Sequence, residues 1–165
     1  MEENPVFTSG RPGDESFMRE ALKEAEAALL RGDRAIGAVI VHDGHAVGRG
    51  SSTYSSGRNN IAHAEINAIN SCAAFLQEHG PGCTIYTTCE PCVMCLGAIV
   101  MANIREIVFG MPDNHIQPGR VIDAVPYIRK RVHRYTGGVL QDDCVALFRL
   151  FSEKEADLCL HGHQE

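Results

Sequence analysis

The stretch Thr87-Thr88-Cys89-Glu90-Pro91-Cys92-Val93-Met94-Cys95 constrains this chain more than any other. It follows the β-branched run Cys83-Thr84-Ile85-Tyr86-Thr87, which reads as a strand, and it leads into a helix expected over about 92–102. Pro91 suits a first helical turn, where its missing N–H has no partner to lose. Cys92 and Cys95 are three apart, share one helix face, and can present both sulfurs to a single ion. A helix N-terminus also favours the thiolate that binds metal. The fold must therefore pass from strand to helix at this point with two thiols aimed at the junction.

A redox pair uses the same Cys-x-x-Cys at a helix start, so this spacing alone leaves both readings open. The chain holds seven cysteines. Cys72, Cys83, Cys89, Cys144 and Cys159 offer no second paired spacing, which argues against a closed four-cysteine zinc site. The cysteine number is odd, and Met1-Glu2-Glu3-Asn4-Pro5 lacks the apolar segment of a secretory signal. A cytoplasmic protein with reduced thiols is expected. No apolar run approaches the roughly 18 residues of a transmembrane helix, so no membrane partner is expected. A net charge of −6 weighs against a protein whose main task is gripping a nucleic-acid backbone. The basic run Arg129-Lys130-Arg131-Val132-His133-Arg134 reads as a solvated strand edge or loop.

A second element lies upstream. His63-Ala64-Glu65 opens a helix expected over about 64–76, just as Pro91-Cys92 opens its own. Two helix starts at the ends of sheet elements can face one pocket. His63, Cys92 and Cys95 then give three ligands and an open fourth position, the arrangement of catalytic rather than structural zinc. Glu65 can reach a water at that position without binding the metal. His-x-Glu followed by Pro-Cys-x-x-Cys is the signature of the zinc nucleobase deaminases.

The remaining pattern supplies a scaffold. Residues 1–13 read as a loose arm. A helix capped by Asp14 or Ser16 runs to about Leu30 on the stripe Met18, Ala21, Leu22, Ala25, Ala28 and Leu29. A hairpin turns at Asp43-Gly44, a strand covers 104–109, a short helix covers 121–128 despite Pro126, and a strand covers 132–135. A last helix, capped by Asp142 or Asp143, runs to about Leu158. This order predicts an α/β fold, a three-layer α/β/α sandwich on a mixed sheet, as a single domain over 1–165.

From about Met18 to Phe151 the chain resembles the cytidine deaminase-like superfamily. It is most similar to the branch of guanine deaminases, fungal-type cytosine deaminases and tRNA adenosine deaminases. The pieces that carry this are "AIGAVIV" (35–41), "AHAEINAI" (62–69), "IYTTCEPCVMCLGAIV" (85–100), "IVFG" (107–110) and "GGVLQDDC" (137–144). The resemblance implies a five-stranded central sheet, a homodimer, and one Zn²⁺ per chain held by His63, Cys92 and Cys95. It implies that Glu65 takes a proton from the zinc-bound water, that the hydroxide attacks the ring carbon bearing the amine, and that ammonia leaves. The backbone N–H of Cys92 would steady the developing charge.

The resemblance divides over the substrate. "CEPCVMCLGAI" is similar to the guanine deaminase motif, so a guanine-like purine is the first expectation among free nucleobases, nucleosides and related amino-heterocycles. In that branch Asp113 would reach the substrate, and the tail 152–165, with Asp157, His161 and His163, would close the pocket or remain solvated. Ser52 stands where relatives place a pocket Asn. Asn60 and Ala64 are further candidates for substrate contact, and Cys89 is a candidate pocket neighbour. The alternative is a tRNA-specific adenosine deaminase forming inosine. Asp113 fits the Asp-x-Lys-x-Gly-x-x-Gly of that branch, but its lysine and second glycine are missing. Residues 152–165 carry one Lys against four acidic residues, where a basic helix would be expected. A non-catalytic zinc-binding module and a Cys92–Cys95 redox protein are the distant alternatives.

Overall fold

Asp43 and Gly44 both adopt positive φ, 48° and 77°, as a tight two-residue hairpin requires. They join β1 (Gly37–His42) to β2 (His45–Ser51). On its other edge β1 pairs antiparallel with β3 (Cys83–Cys89), and β4 (Glu106–Met111) and β5 (Arg134–Thr136) then add in parallel. The result is the expected mixed five-stranded sheet, in the order β2-β1-β3-β4-β5. The computed structural model describes residues 7–163.

Both faces of the sheet are covered, which explains why β1 is apolar and buried from Ala38 to Val41. Ala38 and Ile40 point into a cluster with Ala64, Ala68, Leu96 and Ile99, which come from α2 (Ala64–Ser71) and α4 (Val93–Met101). Val39 and Val41 point the other way, toward Met18 and Ala21 of α1 (Asp14–Leu30) and Cys144 and Phe148 of α7 (Gln141–Phe151). The alternation is the two-residue period of a strand. Gly50 allows α2 to lie directly on β2, since a Cβ there would stand 2.3 Å from Ala68 N and 2.4 Å from Ala64 O. That close approach fixes where the first turn of α2 sits.

Several boundaries differ from expectation. The first helix is capped by Gly13 at φ 93° rather than by Asp14 or Ser16. Asp14 turns inward instead, accepting hydrogen bonds from Arg11 N (2.5 Å) and Tyr86 Oη (3.0 Å) and pairing with Arg134. Arg134 is itself 2% exposed, so the basic run is not solvated throughout; it is exposed at Arg129, Lys130 and His133 and plunges into the core at its last residue. The helix expected over 64–76 breaks at Cys72 (φ −137°), where α3 (Ala73–His79) begins. The 121–128 helix splits into α5 (Gly119–Ala124) and α6 (Pro126–Arg129), with extended Val125 ahead of the proline. Asp142 and Asp143 occupy the first turn of α7, and the cap is Leu140 in the left-handed region. The final helix also breaks, at Ser152, whose Oγ accepts from Glu155 N at 3.1 Å and starts α8 (Glu153–His161). Of the expected loose arm, residues 1–6 lie outside the described residues. Phe7 and Thr8 are not loose, because they bridge to Tyr135 of β5. Residues 164–165 of the tail also lie outside the described residues.

Candidate metal centre and pocket

His63 and Cys92 are the N-cap residues of α2 and α4, both with extended backbone and neither with a side-chain capping bond. Ser, Thr, Asp or Asn would stabilise these helix ends better, so the two positions carry residues suited to another task. His63 Nδ1 lies 3.6 Å from Cys92 Sγ and 3.5 Å from Cys95 Sγ. All three ligand atoms fall within 4.8 Å of one another. Tetrahedral zinc bonded to nitrogen and sulfur separates its ligands by roughly 3.5–3.8 Å, so the spacing fits that ion.

The charges fit as well. Contact with Cys95 and the His63 ring holds the Cys92 thiol down to about 4, against the effect of burial. The same contact with Cys92, burial and nearby Glu65 push Cys95 well up. The Cys92 sulfur raises His63, opposed by burial and assisted by Glu65 and the Asn60 backbone. Two adjacent thiolates repel each other, and a divalent cation between them removes that penalty. All seven cysteines are free, so no disulfide competes for these sulfurs.

Glu65 is 3% exposed. Burial pushes its pKa up, although hydrogen bonds, including that of Thr87, pull it back. Its Oε1 accepts from Thr87 Oγ1 at 2.9 Å, and its Oε2 lies 3.4 Å from Cys95 Sγ. The carboxyl faces a cavity of about 360 Å³ that Ser52, His63, Ala64, Cys89, Cys92 and Asp113 also line. Asp113 uses Oδ1 to accept from the N–H groups of His115 (3.1 Å) and Ile116 (3.0 Å), while its own N–H donates to Glu90 Oε2 at 2.7 Å. It thus shapes the loop as well as lining the pocket.

Two expected contacts are absent from the cavity wall. Asn60 is exposed on a turn before α2. Asp157 points to solvent and pairs with Arg149 at 2.8 Å. After the break at Ser152, α8 presents Glu155, Leu158 and Cys159 to the pocket instead. Part of the expected tail thus lines the cavity, through residues other than Asp157, His161 and His163. His161 and His163 are exposed, and the His163 ring meets the edge of His115 with centroids 4.3 Å apart.

Arg34 and Glu90 also line the pocket, and little in the sequence marks them. Arg34 Nε donates to Glu155 Oε2 at 3.0 Å, and its guanidinium lies over the Tyr54 ring at 4.6 Å. These residues are 121 positions apart, so no local pattern could pair them. Glu90 Oε1 accepts from Tyr135 Oη at 2.7 Å. Its one signal was its place beside Pro91 in the cysteine stretch.

The family model for the cytidine and deoxycytidylate deaminase zinc-binding region matches residues 12–111. The chain belongs to this zinc deaminase family. It is similar to a tRNA-specific adenosine deaminase of Streptococcus pyogenes, 36% identical over 138 residues, or 82% of this chain and 87% of that protein. A solved structure from work on A-to-I editing by tRNA:A34 deaminases is 33% identical with a TM-score of 0.69, over 80% of this chain and 98% of that one. The guanine deaminase of Bacillus subtilis is 34% identical with a TM-score of 0.53, over 58% of this chain and 62% of that one. This deaminase is a zinc-dependent hydrolase of C–N bonds. Among the described residues no helix is long and apolar enough to cross a membrane.

Proposed function

We propose that this deaminase converts adenosine in transfer RNA to inosine. The observation that carries the reading is the extent of the likeness to the streptococcal tRNA-specific adenosine deaminase, 82% of this chain against 87% of that protein. The guanine-like purine, expected first from the cysteine motif, becomes the second reading. One feature favours it: α8 brings Glu155, Leu158 and Cys159 over a cavity of about 360 Å³, a size in the range of small-molecule pockets.

The chemistry is common to both. His63, Cys92 and Cys95 hold Zn²⁺, which when bound lowers the pKa of water toward about 7. Glu65 accepts one proton of the attacking water and passes it to the ring nitrogen, then takes the second from the added hydroxyl and passes it to the departing amine. The water oxygen bonds to the ring carbon, the exocyclic C–N bond breaks, and ammonia leaves. The backbone N–H of Cys92, at the start of α4, steadies the charge that develops. Ser52, Ala64 and Asp113 contact the base. Cys89 is a pocket wall residue. The domain acts as a homodimer through the α4 side, where Val93 and Met101 leave 53% and 70% of their surface exposed.

The test is to incubate zinc-loaded protein with an RNA anticodon stem-loop carrying adenosine at its first anticodon position and, in parallel, with guanine. Inosine in the digested RNA with guanine unconsumed supports the tRNA reading. Ammonia and xanthine from guanine with no inosine overturns it in favour of the second.

A further inference from the structure

We infer that Thr87 is a positioning residue that holds the Glu65 carboxyl in its working orientation. The inference rests on the deaminase reading, in which Glu65 carries the protons. Thr87 lies in β3 between paired residues Ala38 and Phe109 and is wholly buried. A buried hydroxyl in such a strand needs a hydrogen-bond partner. It has two acceptors within reach, Glu65 Oε1 at 2.9 Å and the Cys89 carbonyl oxygen at 3.1 Å.

A threonine hydroxyl has one proton to give, whereas a carbonyl can only accept. With Glu65 as a carboxylate, Thr87 donates to Oε1. When Glu65 takes the water's proton it does so on Oε2, which faces the metal side, and Oε1 goes on accepting from Thr87. Every donor keeps an acceptor in both states, and the carboxyl need not rotate. Because Oε1 is tied to the sheet, Oε2 stays directed at the metal side, 3.4 Å from Cys95 Sγ. A valine would suit this buried, β-branched position equally well for packing. The hydroxyl is therefore what the position supplies to Glu65.

The experiment compares Thr87→Val and Thr87→Ser with the wild type in three readouts: bound zinc, steady-state kinetics, and the infrared carboxylate band of Glu65, assigned by its loss in Glu65→Gln. We expect Thr87→Val to retain about one zinc per chain and a near-normal KM. Its kcat should fall about 10- to 100-fold, the scale of one lost hydrogen bond to a charged group. The Glu65 band should shift in Thr87→Val and return in Thr87→Ser, which should also recover kcat to within about threefold. An unchanged band in Thr87→Val overturns the inference, as does a Thr87→Ser variant as slow as Thr87→Val. A wild type without turnover instead refutes the deaminase reading, and the infrared comparison still decides whether Thr87 holds Glu65.

Discussion

Glu65 shows how one residue's setting decides its use. It sits in the first turn of α2, two positions after a ligand, so its carboxyl faces the same junction as His63 yet stays out of the ligand set. Glu65→Ala should therefore keep the zinc and lose about 10²- to 10⁴-fold in turnover, the usual contribution of a general acid–base group. Zinc analysis beside ammonia release checks both halves. His63, Glu65, Cys92 and Cys95 were legible in the sequence because their geometry is local: each pair lies within one helical turn. The placement of Asn60 and Asp157 off the cavity wall was not legible, for the opposite reason. Whether Asp157 or Glu155 meets the pocket depends on the rotation of α8, and the kink at Ser152 ahead of it lies inside a continuous amphipathic run.

At the scale of elements, α1 and β5 are tied together by the buried pair of Asp14 and Arg134. Burial opposes the charge on Asp14, but Arg134, the Arg11 backbone and Tyr86 together hold its carboxyl below its ordinary value of 3.8. Asp33 is lowered in the same way, where Ser55 and Ser56 offset its burial. A carboxyl depressed in the folded state adds stability that is fully present above its unfolded pKa and lost as pH falls through the lower folded value. Stability should therefore hold at neutral pH and fall as the medium is acidified below about 4. Asp14→Asn should cost about 3 kcal/mol at neutral pH, since it leaves the buried Arg134 guanidinium with only the longer pair to Glu106 at 3.7 Å, and should flatten the acid decline. Urea unfolding of both proteins across pH 3–7 measures this. The strands and the hairpin were legible from β-branched runs and Asp43-Gly44. The break at Cys72 was not, because no local breaker marks it, whereas the break at Ser152 has a local signal only in its capping serine, whose Oγ accepts from Glu155 N.

Across the whole molecule, the antiparallel hairpin and the parallel β3-β4 pair deliver two helix N-termini to one end of the sheet. The three layers bury both faces, and α8 lines the opening that results. Fold class and chemistry were readable from the sequence; the substrate was not, because α8, Arg34 and the loop of Asp113 meet only in three dimensions. The most direct test of the account is to titrate zinc into metal-stripped protein and follow inosine formation on the anticodon stem-loop. Activity should rise in proportion to zinc and saturate at about one ion per chain. Turnover that persists without zinc, or a saturated site without turnover, would contradict it.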